Sequence, residues 1–248
     1  MRSVIIIPAR YGSKRYKGKP LAKILSREMI LRVADICSKA IGKKNIFVAT
    51  DHKKIKNVVE AAKYKVIMTS SKCLTGTDRV AEASKKVNSK IYINVQGDEP
   101  TINPKDIKKV IDAKIKYPNH VVCGYDKVHK YENPKSKNLP KVVINENNEL
   151  IYISRSLIPG EKGKKNKQFF KQVCIYGFNK KQLDKFYQIR RKSNIEKIED
   201  IEILRYFELN IKIKMIKLNS NSIAVDEIGD IAKAEKILKQ RKNNLANE

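Results

Sequence analysis

Apolar and polar positions follow two regimes along this chain, divided near residue 120. In the first regime, short runs rich in β-branched residues (SVIIIPA, NIFVAT, KVIMTS and KIYINVQ) alternate with stretches of helical apolar spacing near residues 27–41, 53–63 and 77–87. Strands apolar on both faces, separated by amphipathic helices, predict a mainly parallel sheet flanked by helices, an α/β fold. The helix after Gly76 is well signalled: Thr77 is a candidate cap, Asp78 sits in the first turn, and Val80, Ala81, Ala83, Ser84 and Val87 form one apolar face. A fourth helix is predicted from Pro104, ending before Pro118.

In the second regime KVVINENNELIYISRS reads as a hairpin turning at Asn147 and Asn148. Residues 160–172, GEKGKKNKQFFKQ, read as a mobile exposed loop, and CIYGF returns to strand. A helical stretch over 195–209, a half-exposed strand IKIKMIKL and an amphipathic helix after Asp226 complete the chain, with NNLANE expected to fray. With no internal repeat and no clear linker, residues 1–248 read as one domain, any second lobe being inserted into the main sheet.

Ligands of open parallel sheets bind beyond the carboxyl ends of the strands. Four polar clusters fall there: ARYGSKRYKGKP, ATDH, SKCLTGTDR and VQGDEP. The first has the parts of a polyphosphate cradle, with Gly12 and Gly18 permitting close backbone approach and Arg10, Arg15 and Lys19 supplying charge. It lacks the spacing of a P-loop or of a dinucleotide fingerprint, and a solvated basic loop is the competing reading. Asp98 and Glu99 in VQGDEP are placed to hold a hard cation, since Mg2+ binds through one or two carboxylates plus substrate phosphates; a solvated turn is the alternative. Asp226 in SIAVDEIGD is a further acid, although from its own stretch alone an N-cap at the start of the last helix is the favoured reading.

Charge adds one question. Lys+Arg number 54 against 26 Asp+Glu, a formal net charge of +28, so an anionic partner must be considered. The lysines are spread through ordinary helices, as compositional bias would place them, and no nucleic-acid reading motif accompanies them, so no nucleic-acid partner is expected. Cys37, Cys73, Cys123 and Cys174 are scattered, which predicts reduced, mostly buried thiols of a cytoplasmic protein. SVIIIPA is too short for a signal peptide or a membrane span, and no membrane insertion is expected. The histidines, His52, His120 and His129, read as surface or loop residues, with His52 bordering the cleft.

Taken in order, IIIPARYGSKRYKGKPL, VATDH, MTSSKCLTGTDRVAEA, INVQGDEP, ISRSLIP and CIYGF resemble the bacterial CMP-KDO synthetases, the 3-deoxy-manno-octulosonate cytidylyltransferases, over nearly the whole chain. The resemblance implies the nucleotide-diphospho-sugar transferase fold, with a smaller lobe at about residues 125–210 for sugar binding and homodimer contacts. It implies a reaction of CTP with a 2-keto-3-deoxy acid sugar to give a CMP-sugar and pyrophosphate, with Mg2+ as cofactor. By the same resemblance Arg10, Ser13, Arg15 and Lys19 line the triphosphate, and Pro8, Ala9, Gly12, Gly76, Arg79 and Gln96 are the other nucleotide-binding residues. Lys19, Asp98 and Arg15 would be catalytic, Asp98 and Asp226 would hold the metal, and Gln96, Arg155, Tyr176 and Glu202 would face the sugar.

The departures concentrate in the sugar half. Lys17, Cys73 and Thr75 replace the usual proline, histidine and serine of the nucleotide half. On the sugar side Gln172 stands for a histidine, Ile203 for a glutamine, Gly160 for an aromatic residue, and VDEI keeps Asp226 but loses a proline. Changing a hydrogen-bonding partner of a sugar hydroxyl can change which sugar is accepted. Cytidylyl transfer to KDO is therefore expected, with a related acid sugar, another nucleotide or a basic nucleic-acid-binding protein as alternatives.

Overall fold

The apolar runs of the first regime form strands where the pattern places them. The computed structural model of the chain describes residues 3–12, 16–160, 162, 168–220 and 222–246. In chain order its elements are β1 (Ser3–Ala9), β2 (Lys23–Ile24), β3 (Arg27–Glu28), α1 (Met29–Ile41), β4 (Ile46–Thr50), α2 (Lys53–Ala61), β5 (Lys65–Met68), α3 (Gly76–Ser84), β6 (Ile91–Val95) and α4 (Pro104–Lys116). There follow β7 (Val121–Lys127), β8 (Lys141–Ile144), β9 (Leu150–Ser154), β10 (Phe170–Phe178), α5 (Lys180–Gln188), α6 (Asn194–Glu199), α7 (Leu204–Glu208), β11 (Ile213–Lys217) and α8 (Gly229–Ala246).

Among the described residues the main sheet has the order β11-β7-β10-β6-β1-β4-β5, with the β8–β9 hairpin attached through β10. β6, β1, β4 and β5 are mutually parallel, as are β11 and β7, whereas β10 runs antiparallel to both β6 and β7. Because β10 is reversed, its first residues reach the edge where the parallel strands end: Phe170 pairs with Lys127, and Ile175 with Val95.

The period of two in β1 explains the layering. Ile5 and Ile7 pack with Ile30, Val33, Ile55 and Val110 from α1, α2 and α4 on one face. Val4 and Ile6 pack with Val80, Phe186, Leu204 and Tyr206 from α3, α5 and α7 on the other. The loops at the carboxyl edge thus start from strands clamped on both sides.

Several expectations are corrected. Thr75, not Thr77, caps α3: its hydroxyl accepts from Asp78 N, and Thr77 lies inside the helix. The stretch 195–209 breaks into α6 and α7 because Asp200 adopts φ 51°. β10 begins at Phe170, inside the segment expected to be a loop, and both Lys171 and Gln172 are buried; residues 161 and 163–167 of that segment lie outside the described residues. Helix α5, absent from the pattern reading, starts at a capping box of Asn179 and Gln182. The last helix starts at Gly229 and continues to Ala246, so NNLA is helical rather than frayed. All four cysteines are free thiols, Cys37 and Cys123 buried and the other two half-buried.

Candidate active site

A cavity of about 930 Å³ opens along the carboxyl edge of the sheet. From the first loop it is lined by Pro8, Ala9, Arg10, Gly12 and Lys19, and from α3 by Gly76 and Arg79. Gln96 and Asp98 follow β6, and Arg155, Tyr176, Glu202 and Asp226 enter from the second half of the chain. Ser13 and Arg15, also selected from the sequence, lie outside the described residues.

The first loop is shaped by Gly18, whose φ of +75° suits glycine and whose amide donates to Tyr11 O at 2.9 Å. Gly12 lines the cavity, but an added Cβ there would meet nothing among the described residues, and of the two glycines Gly18 is the one with a positive φ. The closed loop delivers Lys19, whose Nζ donates to Asp98 Oδ2 at 2.7 Å, to Val225 O at 2.9 Å and to Asp226 Oδ1 at 3.5 Å. Asp226 is not an N-cap, since α8 starts three residues later; Val225 N donates instead to Asp98 O at 2.9 Å, docking this segment beside β6. Two acids from distant parts of the chain thereby meet at one ammonium.

Glu99 is buried with one carboxylate oxygen lacking a hydrogen-bond partner among the described residues. Burial and the neighbouring Asp98 charge push its carboxyl up to about 7. Asp98 and Asp226 remain the better-exposed pair, and two carboxylates at the rim of a cleft are a donor set that fits Mg2+. Among the described residues no group of three or more His, Cys, Asp or Glu side chains forms a self-sufficient metal cage.

The start of α3 is held from both sides. A Cβ on Gly76 would lie 2.8 Å from both terminal atoms of the Gln96 amide, so glycine is required for that amide to lie against the helix. Gln96 Nε2 donates to Glu202 Oε1 at 2.7 Å, and Thr77 N donates to Glu202 Oε2 at 2.9 Å. Burial raises the Glu202 carboxyl above its ordinary range, while the bonds from Thr77 act in the opposite sense. Arg79, 2% exposed, donates to Thr69 Oγ1 at 2.6 Å and to Asp51 Oδ2 at 3.0 Å. Asp51 also accepts from Tyr11 N at 3.3 Å, which ties the first loop to α3. Asp51 lay in the VATDH cluster but was not selected; its place directly after a buried strand was the available signal. His52 stacks on Tyr11 and caps α2 by accepting from Lys54 N, a structural role that leaves it out of the cavity lining.

On the side of the cavity expected to face the sugar, Arg155 donates to the carbonyls of Glu199, Lys137 and Asp200 at 2.6, 2.8 and 3.0 Å. Tyr176 is 2% exposed, and burial holds its hydroxyl well above the usual phenol range. Lys171 forms an ion pair with Glu132 at 2.5 Å in the cavity wall, a pair that sequence reading missed because Lys171 sat in a stretch taken for a loop and nothing marked Glu132 as its partner. Of the sugar-half departures Gln172, Ile203 and Gly160, Gln172 alone lines the cavity; Ile203 is a core residue, and a Cβ on Gly160 would meet nothing among the described residues. Among the described residues the Gln172 side-chain amide meets thiol sulfurs, Cys123 Sγ at 3.7 Å and Cys174 Sγ at 3.9 Å. On the nucleotide side Cys73 lines the cavity, and burial pushes its thiol up to about 12, so it acts as a wall rather than a nucleophile.

A parallel-sheet edge that presents a basic loop, two acids meeting at a lysine and a glycine-led helix start is the cleft of a nucleotidyltransferase, where charge and positioning rather than a covalent nucleophile carry the chemistry. Comparison with known proteins narrows this class. A cytidylyltransferase family model matches residues 4–213, and the chain belongs to that family. It is 38% identical to an 8-amino-3,8-dideoxy-manno-octulosonate cytidylyltransferase of Shewanella sp. (strain W3-18-1), over 96% of this chain and 99% of that one. It is 37% identical to a 3-deoxy-manno-octulosonate cytidylyltransferase of Thermodesulfovibrio yellowstonii, over 96% and 98%. Among solved structures, a CMP:2-keto-3-deoxy-manno-octonic acid synthetase complexed with CTP superposes with a TM-score of 0.89 at 32% identity, covering 97% of this chain and all of the other. These matches bear out the expected fold and the expected enzyme class.

Proposed function

We propose that this chain is an Mg2+-dependent cytidylyltransferase that joins CTP to 3-deoxy-manno-octulosonate (KDO), giving CMP-KDO and pyrophosphate. The observation that carries the reading is the meeting of Lys19, Asp98 and Asp226 on the sheet edge that faces Gly76 and Arg79. Asp98 and Asp226 would hold Mg2+, which when bound supplies positive charge at the phosphates. Arg10 and Lys19 are placed to neutralise charge that accumulates on the departing pyrophosphate, a term realised most strongly in the transition state. Gln96, Tyr176, Glu202 and Arg155 orient the sugar so that one hydroxyl approaches the α-phosphorus in line.

A second acceptor, 8-amino-3,8-dideoxy-manno-octulosonate, is favoured by the near-equal identity to relatives bearing either name and by Gln172 in the cavity wall. Pyrophosphate release measured across CTP, UTP and GTP with both sugars and neuraminate separates these readings; turnover confined to nucleotides other than CTP sinks the main one. A homodimer is proposed through residues 125–210, where Ile151 and Ile198 are exposed, and sedimentation would show it. The free thiols and the use of CTP support a cytoplasmic location, and no described helix is long and apolar enough to cross a membrane. The positive charge is assigned no nucleic-acid partner; a steep salt-dependent affinity for duplex or single strands would contradict that.

A further inference from the structure

Three residues of the first turn of α3 face three different ways. Arg79 points to Asp51 and the first loop, while Thr77 N is held by Glu202. Asp78, 4% exposed, points away from the cavity to Arg205, which is fully buried and absent from the cavity lining. Every N–H of the Arg205 guanidinium is engaged. Nε and Nη2 donate to the two carboxylate oxygens of Glu196, each at 2.7 Å; Nη1 and Nη2 donate to Asp78 at 2.7 and 3.1 Å; and Nη1 reaches Phe186 O at 3.4 Å. The guanidinium plane also lies 3.8 Å from the Phe186 ring centroid. A lysine ammonium could not reproduce this fork.

We infer that Arg205 is a positioning residue for the transfer reaction, holding the nucleotide half and the sugar half of the cavity at a fixed spacing. One helical turn on the sugar side, Glu202 to Arg205, grips one turn on the nucleotide side twice, at Thr77 and at Asp78. Through Glu196 the same guanidinium fixes α6, whose end carries the Glu199 and Asp200 carbonyls that bind Arg155. Through Arg79 and Asp51 the link continues to Tyr11 in the first loop. Arg205 touches neither substrate, so its loss changes how two bound substrates meet rather than how each one binds.

The inference rests on the proposed cytidylyl transfer, and the test separates the two. Arg205→Lys keeps the charge but cannot bridge both acids; Glu196→Ala leaves the charge-balanced Asp78–Arg205 pair and severs α6 only. Both are assayed below their melting transitions for kcat and for each KM, beside hydrogen exchange of wild type and variants. The expected result is a kcat loss of about 10- to 100-fold with both KM values within about threefold, the size of effect that a misplacement near 1 Å produces. Exchange should rise in residues 196–202 and stay unchanged in α1, which packs on the opposite face. A folded variant with kcat within about twofold of wild type, or a loss confined to the KM for CTP, overturns the inference. If wild type turns over no sugar with CTP, the functional proposal fails, and unchanged exchange in both variants would then still refute the clamp.

Discussion

Replacing Gly76 with alanine should injure catalysis far more than folding. The new Cβ would stand 2.8 Å from Gln96 Nε2 and Oε1 and 3.3 Å from its Cδ, so the amide must retreat by roughly half an ångström or more to reach ordinary contact. That retreat stretches the 2.7 Å bond from Gln96 to Glu202 beyond useful length. Losing a hydrogen bond to a charged acceptor costs about 1.5–3 kcal/mol, and the gain from alanine over glycine at a helix start returns at most about 1 kcal/mol. The net, about 1–2 kcal/mol, lowers the melting temperature by only a few degrees in a chain of this size. Activity should fall about 10- to 100-fold, because the displaced group lies between the two half-sites. Steady-state pyrophosphate release and thermal melting on Gly76→Ala, Gln96→Ala and the double variant measure both effects. The clash disappears when Gln96 is truncated, so the double variant should be no slower than Gln96→Ala alone. Independent, multiplying losses, or a Gly76→Ala enzyme with near-normal turnover, would refute the reasoning.

Asp98→Asn should abolish turnover with little change in melting temperature, since it removes charge at the cavity and leaves the core intact; wild-type rates would show that the metal assignment is wrong. Lys19→Ala should reduce turnover by at least about 100-fold, and an unchanged rate would reduce Lys19 to a structural counter-ion of the two acids. Lys114 offers a test of pH dependence: burial pushes its ammonium from the ordinary 10.5 down to about 7, while Nζ donates to Pro118 O, His120 O and Gln182 Oε1. Between those values the unfolded chain carries the extra proton, so stability should rise with pH through this window. Urea midpoints of wild type should therefore gain on those of Lys114→Met from about pH 6.5 to about pH 9.5, and a gap that shrinks would reverse the sign argument.

The half of the molecule built from parallel strands was legible because each strand announces its own end. After an apolar run such as SVIIIPA or KIYINVQ, the next polar residues must emerge at the carboxyl edge, which is why Lys19, Gln96 and Asp98 could be placed without coordinates. What failed has a common physical cause: polar residues that face inward look like polar residues that face water. Asp78 was placed only in a first turn, and Arg205 and Glu196 fell in a helical stretch with no role assigned, yet all three are buried, because their charges satisfy one another. Lys171 and Glu132 were hidden in the same way. Gln172 could be recognised as a departure, but only the reversed course of β10 shows that it reaches the cavity while Ile203 does not. Asp226 favoured an N-cap reading from its neighbours alone, because its partner Lys19 lies across the chain in sequence.

The reversed strand has a genetic consequence. A parallel strand offers the cleft its last residues and whatever loop follows; β10, inserted between β6 and β7, offers its first. The loops proposed to face the phosphates are encoded before residue 100, apart from the short stretch around Asp226, whereas Arg155, Lys171, Gln172 and Tyr176, which with Glu202 line the proposed acceptor side, are encoded between residues 155 and 176. A lineage could therefore recombine or mutate that short stretch and explore new acceptors while inheriting its cytidylyl chemistry unchanged.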